Sequence, residues 1–379
     1  MDILGLRHRP SGVNTRFDAE EMPFADYVLQ TRAMLDAFHA GKNEQEIIVE
    51  GNAPFELLPT GNFEKGRKKP FKRGVLLTHG LLDSPYHMQH LAAFFQRNGF
   101  RVMAVLLPGH GTRPGDLLEM RWEEWAKTVA YGADRMAEEV DELYLAGFSA
   151  GAALSVLHAR HDRRVRGLFL FSPALKIDPL ARWANLHKLY SWLLPKGAWV
   201  SCMQDRDLYK YESFCKNAAA QMYALTLALP KREVDIPGFA VASADDATVN
   251  SGAAWRYMQS SQHACSKLVW YATEKVDQPN VEWINSALPE KHILSSAHTA
   301  IVMPPQDTHY GEKGDYINCL HYYEGDKKRY TACCAQAQEV SQGEILEQNL
   351  KKGLLRRLMY NPHYAEMESS MQKFIENLP

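Results

Sequence analysis

The chain has 379 residues, 46% of them hydrophobic and 23% charged, which supplies apolar material for one large or two modest cores and argues against disorder. A formal net charge of −2 excludes the strongly basic balance of a nucleic-acid binder. No apolar run reaches the roughly 18 residues needed to span a bilayer, and residues 1–20 lack the apolar segment of a secretory signal, so the sequence reads as a soluble, cytoplasmic protein.

In chain order, Phe24, Tyr27, Val28, Thr31, Leu35 and Phe38 recur at helical spacing, and Gly41 closes that segment. Short apolar runs at 46–49 and 54–58 read as strands. A basic run from Lys65 through Arg67, Lys68, Lys69 and Lys72 to Arg73 reads as a solvated loop before a strand, with an anion patch or a targeting signal as alternatives. From residue 74 the pattern alternates: strand 74–78, helix 87–97, strand 101–107, helix 122–138, strand 142–148, helix 150–159, strand 165–171. Strands apolar on both faces and alternating with helices predict a mostly parallel sheet with helices on both faces. Active sites in such sheets lie beyond the carboxyl ends of the strands.

The rhythm breaks over 173–235, which holds no convincing strand. Trp183, Leu186, Leu189, Tyr190 and Leu193 form one helical stripe, and 217–229 forms another. Strands resume at 238–242 and 267–271, so the helical block is inserted between two strands and is expected to lie over their ends as a cap. In the tail, 316–323 and 329–333 read as a hairpin, and Met367, Met371, Phe374, Ile375 and Leu378 form the apolar face of a last helix. The expected division is an N-terminal helical extension over 1–45, a core over 46–172 and 236–379, and the cap over 173–235. The six cysteines show no CxxC spacing, so neither a disulfide framework nor a zinc site is expected, and no redox role is expected of the adjacent Cys333 and Cys334. His87 with His90, and His158 with His161, read as helix-surface pairs rather than metal ligands.

Gly147-Phe148-Ser149-Ala150-Gly151 fits G-x-S-x-G, between an apolar strand and a helical pattern. A serine hydroxyl needs a base to become a good nucleophile, and a strained strand-to-helix turn lifts its oxygen clear of the sheet. Ser149 is therefore the candidate nucleophile. An acyl-transfer transition state also needs backbone N–H donors for its oxyanion. Ala150, opening the helix, and Leu81, in the Thr78-His79-Gly80-Leu81-Leu82 stretch after the strand at 74–78, are the candidates. Chains that carry this elbow order their partners Ser, then Asp or Glu, then His. Asp246, just past the strand at 238–242 and followed by Ala247-Thr248-Val249, is the preferred acid, with Asp245 as the alternative. His298, within Ser295-Ser296-Ala297-His298-Thr299, is the preferred base, with His292 and His309 as rivals. A buried acid would fix the imidazole tautomer and stabilise the imidazolium.

With these residues in place, the chain resembles the monoacylglycerol-lipase and carboxylesterase-like branch of the α/β-hydrolase superfamily. The pieces that match are Leu76-Leu77-Thr78-His79-Gly80, Leu107-Pro108-Gly109-His110-Gly111-Thr112, Trp122-Glu123-Glu124-Trp125 and the elbow itself, over about residues 72–303. Ala152 stands where many members have a second glycine, and 274–291 looks like an insertion. The resemblance implies an α/β-hydrolase fold with a helical cap. It also implies hydrolysis of carboxylic esters, often of lipids or medium-chain acyl groups, without metal or organic cofactor. A small-molecule acyl ester is then the expected partner, with no role for nucleic acid. Trp183, Leu186, Leu189 and Trp192 are candidates to line an acyl pocket; alternatively they pack the cap, or turn it toward a membrane surface. The same triad would serve a thioesterase, peptidase or acyltransferase, and a non-catalytic hydrolase-like binding protein is the alternative outside enzymes.

Overall fold

The computed structural model describes residues 4–60, 69–189, 191, 194–230, 234–261, 263–335 and 340–379, with the backbone alone at 185, 188 and 189. They form two compact units, 1–169 with 177–236, and 170–176 with 237–379.

The first unit begins with helices α1 (Phe24–His39) and α2 (Gln45–Asn52). The stretch 46–49, expected as a strand, lies inside α2. Helical geometry puts Val49 and Ala53 on one face, where they pack with Leu35 and Leu106, and this burial outweighs the β preference of Ile47, Ile48 and Val49. Then follow β1 (Phe55–Leu57), β2 (Phe71–Thr78), α3 (Gln89–Arg97), β3 (Phe100–Val105), α4 (Trp122–Glu139), β4 (Val140–Phe148), α5 (Ala150–His161) and β5 (Val165–Phe171), whose last two residues belong to the second unit. The strand order is β1-β3-β2-β4-β5. β2 pairs in parallel with β3 and with β4, placing Val75 beside Val102 and Tyr144, while β1 pairs antiparallel with β3. Alternate residues of β2 serve opposite faces. On one, α3 sends Phe95 onto Phe100 and Phe169, with Phe100 against Tyr144. On the other, α4 lies so close that a side-chain carbon on Gly132 would fall 2.6 Å from Leu76. Helices thus cover both faces.

Residues 61–68, which hold Lys65, Arg67 and Lys68 of the basic run, lie outside the described residues. Of its remainder, Lys72 is exposed, while Lys69 Nζ donates to the Ala137 and Val140 carbonyls and Arg73 pairs with Glu142 at 2.8 Å. The block between β5 and the next core strand contains a 3₁₀ run, Pro179–Leu189, a short antiparallel pair β6 (Trp199–Ser201) and β7 (Phe214–Cys215), and α6 (Lys216–Ala228). The small β pair corrects the expectation of a strandless block. Of the first stripe, Tyr190 and Leu193 lie outside the described residues. Asn217 on α6 anchors the block by donating from Nδ2 to the Leu117 and Met120 carbonyls, 2.8 Å each.

The second unit contains β8 (Gly238–Ser243), α7 (Ser251–Gln259), β9 (Lys267–Ala272) and β10 (Val281–Asn285), paired in parallel in the order β8-β9-β10. The apparent insertion at 274–291 therefore contributes a sheet strand. Where a hairpin was expected, the tail forms helices α8 (Leu320–Tyr323) and α9 (Lys327–Cys334). Asp326 caps α9 by accepting the Arg329 N–H, and Tyr322 packs with Cys319 and Cys333 in a small core. Contrary to the cysteine reading, Cys319 and Cys333 are joined in a disulfide, with their Cα atoms 6.1 Å apart. Distant spacing hid this pair, because only the fold brings the two together. Beyond it lie β11 (Ser341–Gly343), α10 (Glu347–Leu350), β12 (Leu355–Arg357), parallel to β11, and α11 (Tyr364–Glu376), whose Phe374 packs on Phe239 of β8.

Candidate active site

β4 ends at Phe148 and α5 begins at Ala150, so Ser149 alone makes the corner. Its φ of 53° and ψ of −110° are strained for an L residue. The flanking glycines permit the close return: a side-chain carbon on Gly147 would fall 2.3 Å from the Gly151 backbone, and one on Gly151 would fall 2.1 Å from the Thr78 carbonyl oxygen. Ser149 is 8% exposed.

The loop after β2 passes against this corner, since a side-chain carbon on Gly80 would lie 3.2 Å from Ser149 Cβ. Among the described residues the Leu81 and Ala150 N–H groups have no acceptor. The next N–H, that of Leu82, is taken: it donates to His110 Nε2 at 3.1 Å. His110 Nδ1 in turn donates to the Pro108 carbonyl. His79 does a similar job, donating from Nδ1 to the Gly80 carbonyl and accepting the Leu107 N–H at Nε2. Burial pushes the His110 imidazole down to about 4 and His79 well below the ordinary range, so both are neutral supports of the loop. Burial alone would raise the Asp83 carboxyl, but Lys210 and His87 beside it hold it below the usual range. Lys210 comes from the inserted block and pairs directly with Asp83. His87 is buried rather than on a helix surface. Tyr211 adds its N–H to the Leu82 carbonyl at 2.8 Å and accepts the Thr112 N–H at its hydroxyl.

In the second unit, Asp246 and His298 are brought together: His298 Nδ1 donates to Asp246 Oδ2 at 2.6 Å, with both side chains buried. Asp246 Oδ1 accepts the N–H groups of Thr248 and Val249. Burial alone would raise this carboxyl; His298 and these donors hold it below its ordinary value. The neighbouring Asp245 faces Ser286 and the Ser296 backbone instead of a histidine, and burial pushes its carboxyl up. Of the rival histidines, His292 is exposed with φ 55°, and His309 is bonded to Asp315. His298 opens a 3₁₀ turn, and its own N–H is held by Glu344 Oε2 at 3.0 Å.

Trp183 and Leu186 are 53% and 49% exposed, only the backbone of Leu189 is described, and Trp192 lies outside the described residues. Sequence reading missed Glu344, Lys210 and Tyr211, which carry no local pattern. His79 and His110 fall within the two matching motif stretches, where nothing local signals their supporting task. Among the described residues no group of three or more His, Cys, Asp or Glu side chains is arranged to hold a metal ion, and no helix is long and apolar enough to cross a membrane.

A parallel sheet flanked by helices, with a serine at the strained strand-to-helix corner, defines the α/β-hydrolase class. The chain belongs to the family described as serine aminopeptidase, S33, which matches residues 69–273, a span that holds Ser149 and Asp246 and ends before His298. It is similar to a thermostable monoacylglycerol lipase from Bacillus sp. (strain H-257), 29% identical over 108 residues, or 28% of this chain and 43% of that protein. The chain thus spans less than half the length of that curated relative. Among solved structures it is similar to one from work on two metagenome-derived lipolytic enzymes, LipS and LipT, at 21% identity and TM-score 0.47, covering 57% of this chain and 86% of that one. A monoacylglycerol lipase from Paleococcus ferrophilus gives 17% identity and TM-score 0.42, with coverages of 53% and 86%. The expected lipase and esterase branch of the α/β-hydrolases is borne out at that level.

Proposed function

We propose that the protein hydrolyses carboxylic esters, of lipids or medium-chain acyl groups, through an acyl-enzyme intermediate on Ser149. The observation that carries this reading is the buried 2.6 Å bond between Asp246 and His298, on a chain that also presents Ser149 at a strained corner. With Nδ1 committed to Asp246, the Nε2 atom of His298 takes the Ser149 proton as Oγ bonds to the acyl carbon. The Leu81 and Ala150 N–H groups hold the resulting oxyanion, and loss of one such donor costs about 2.7–4 kcal/mol of transition-state stabilisation. His298 returns the proton to the departing alkoxide as the carbon–oxygen bond breaks. Water then repeats the sequence and frees the acid. In this proposal the block 173–235 is a cap, with Trp183, Leu186, Leu189 and Trp192 facing the acyl chain or a lipid surface. The exposure of Trp183 and Leu186 supports an apolar contact there.

The family description favours a second reading, cleavage of aminoacyl amides by the same residues. A fluorophosphonate probe followed by peptide mass spectrometry tests the serine chemistry. Label is expected on Ser149, absent in Ser149→Ala and much reduced in His298→Ala. A wild-type chain that takes no label on Ser149 would sink the proposal. Nitrophenyl esters of increasing acyl length, acyl-CoAs and aminoacyl amides, run side by side, then separate ester from thioester and amide preference.

A further inference from the structure

Beyond the family-matched span, the tail after residue 310 carries a charge pair, a buried carboxylate with a half-buried guanidinium, that touches both loops of the Asp246–His298 couple. Glu344, fully buried at the end of β11, divides its carboxylate between two tasks. Oε1 accepts the Ile345 N–H, and Oε2 accepts both the His298 backbone N–H and Arg357 Nη2, 3.0 Å each. The same Arg357 Nη2, on β12, donates to Thr248 Oγ1 at 2.6 Å. Thr248 in turn gives its N–H to Asp246 Oδ1 at 2.8 Å, and Asp246 Oδ2 closes the ring on His298. The His298 loop is pinned again upstream, where β11 exchanges main-chain bonds with it: Leu294 N–H to the Gln342 carbonyl and Gln342 N–H to the His292 carbonyl. Ser295 Oγ also accepts the Glu344 N–H at 2.9 Å.

We infer that Glu344 and Arg357 are positioning residues that set the separation of the acid loop from the base loop. The inference rests on the proposed roles of Asp246 and His298. A buried carboxylate with a half-buried guanidinium is costly to desolvate, and a pair of similar-sized apolar residues would often be as stable. What apolar residues could not do is grip a backbone N–H on one loop and a hydroxyl on the other at the same time. Catalysis depends on such placement, since a shift of about 1 Å can cost roughly 100-fold in rate.

The test uses the full chain, with a nitrophenyl ester as the activity probe. An independent probe is the far-downfield proton resonance of a histidine N–H bonded to a carboxylate, assigned by its loss in His298→Ala. Arg357→Met is expected to lower kcat roughly 10- to 100-fold with KM nearly unchanged, and to broaden or abolish that resonance. Because one nitrogen makes both contacts, Arg357→Lys is expected to restore the resonance and most of kcat, which a general packing role would not require. Should Arg357→Met fold with kcat and the resonance both intact, the inference is overturned. It is overturned equally if lysine restores stability but neither kcat nor the resonance. A wild type that shows the resonance but cleaves no ester counts against the proposed reaction, while the response of the resonance to Arg357→Met still decides the brace.

Discussion

His110 shows how one side chain ties the stability of the molecule to pH. Its imidazole sits at about 4 in the folded chain, against roughly 6.5 when unfolded. Between these values the unfolded chain binds more protons, so stability falls as pH drops from about 6.5 to 4 and then levels off. The loss from this group is roughly 3 kcal/mol, and His79 shifts in the same direction. Urea unfolding at pH 7 and pH 4.5 is expected to show this loss in the wild type and a smaller one in His110→Gln. Equal losses in both chains would remove His110 as the cause. At this scale the sequence was most legible where a residue has a spacing of its own. Ser149 stood between two glycines that the backbone needs, and Asp246 and His298 followed in the order the elbow demands. Glu344 and Arg357 were not legible, because their task depends on tertiary contacts between segments about 46 to 109 residues apart.

At the scale of elements, the stretch joining β6 to β7 acts as a strap on the loop that follows β2. Lys210 holds Asp83, and Tyr211 holds Leu82 and Thr112. Lys210→Met leaves the Asp83 carboxylate buried without its main partner, and a loss of about 3–5 kcal/mol is expected. Adding Asp83→Asn should recover much of it, which chemical denaturation of the single and double variants would reveal. If the single change is neutral, the strap is not held by this pair. The regular core strands and helices were readable because burial on both faces leaves unbroken apolar runs. α2 was misread because Ile47, Ile48 and Val49 favour strands locally, and the neighbouring Leu35 and Leu106 reverse that preference. β6 and β7 span only three and two residues, too short for any periodicity to register. The tail helices were misread for a similar reason, their apolar face being built from Tyr322 and Cys333 around a disulfide.

Across the whole molecule, the motif order along the chain carried the fold class, while the role of the tail did not follow from any motif. The family match ends at residue 273, yet the segments holding His298, Glu344 and Arg357 lie beyond it. The corner at Ser149 has a consequence for this molecule as a material. Its left-handed backbone stores on the order of 1–3 kcal/mol of strain. Glycine would release that strain, at an entropic penalty of about 0.5–1 kcal/mol, whereas alanine would not. Ser149→Gly is therefore expected to melt at a higher temperature than the wild type, and Ser149→Ala is not. A calorimetric scan in which the glycine variant melts lower would refute this. If it melts higher, then breeding this protein for heat tolerance alone would reward dead variants, and any directed-evolution campaign would have to screen for turnover in the same round.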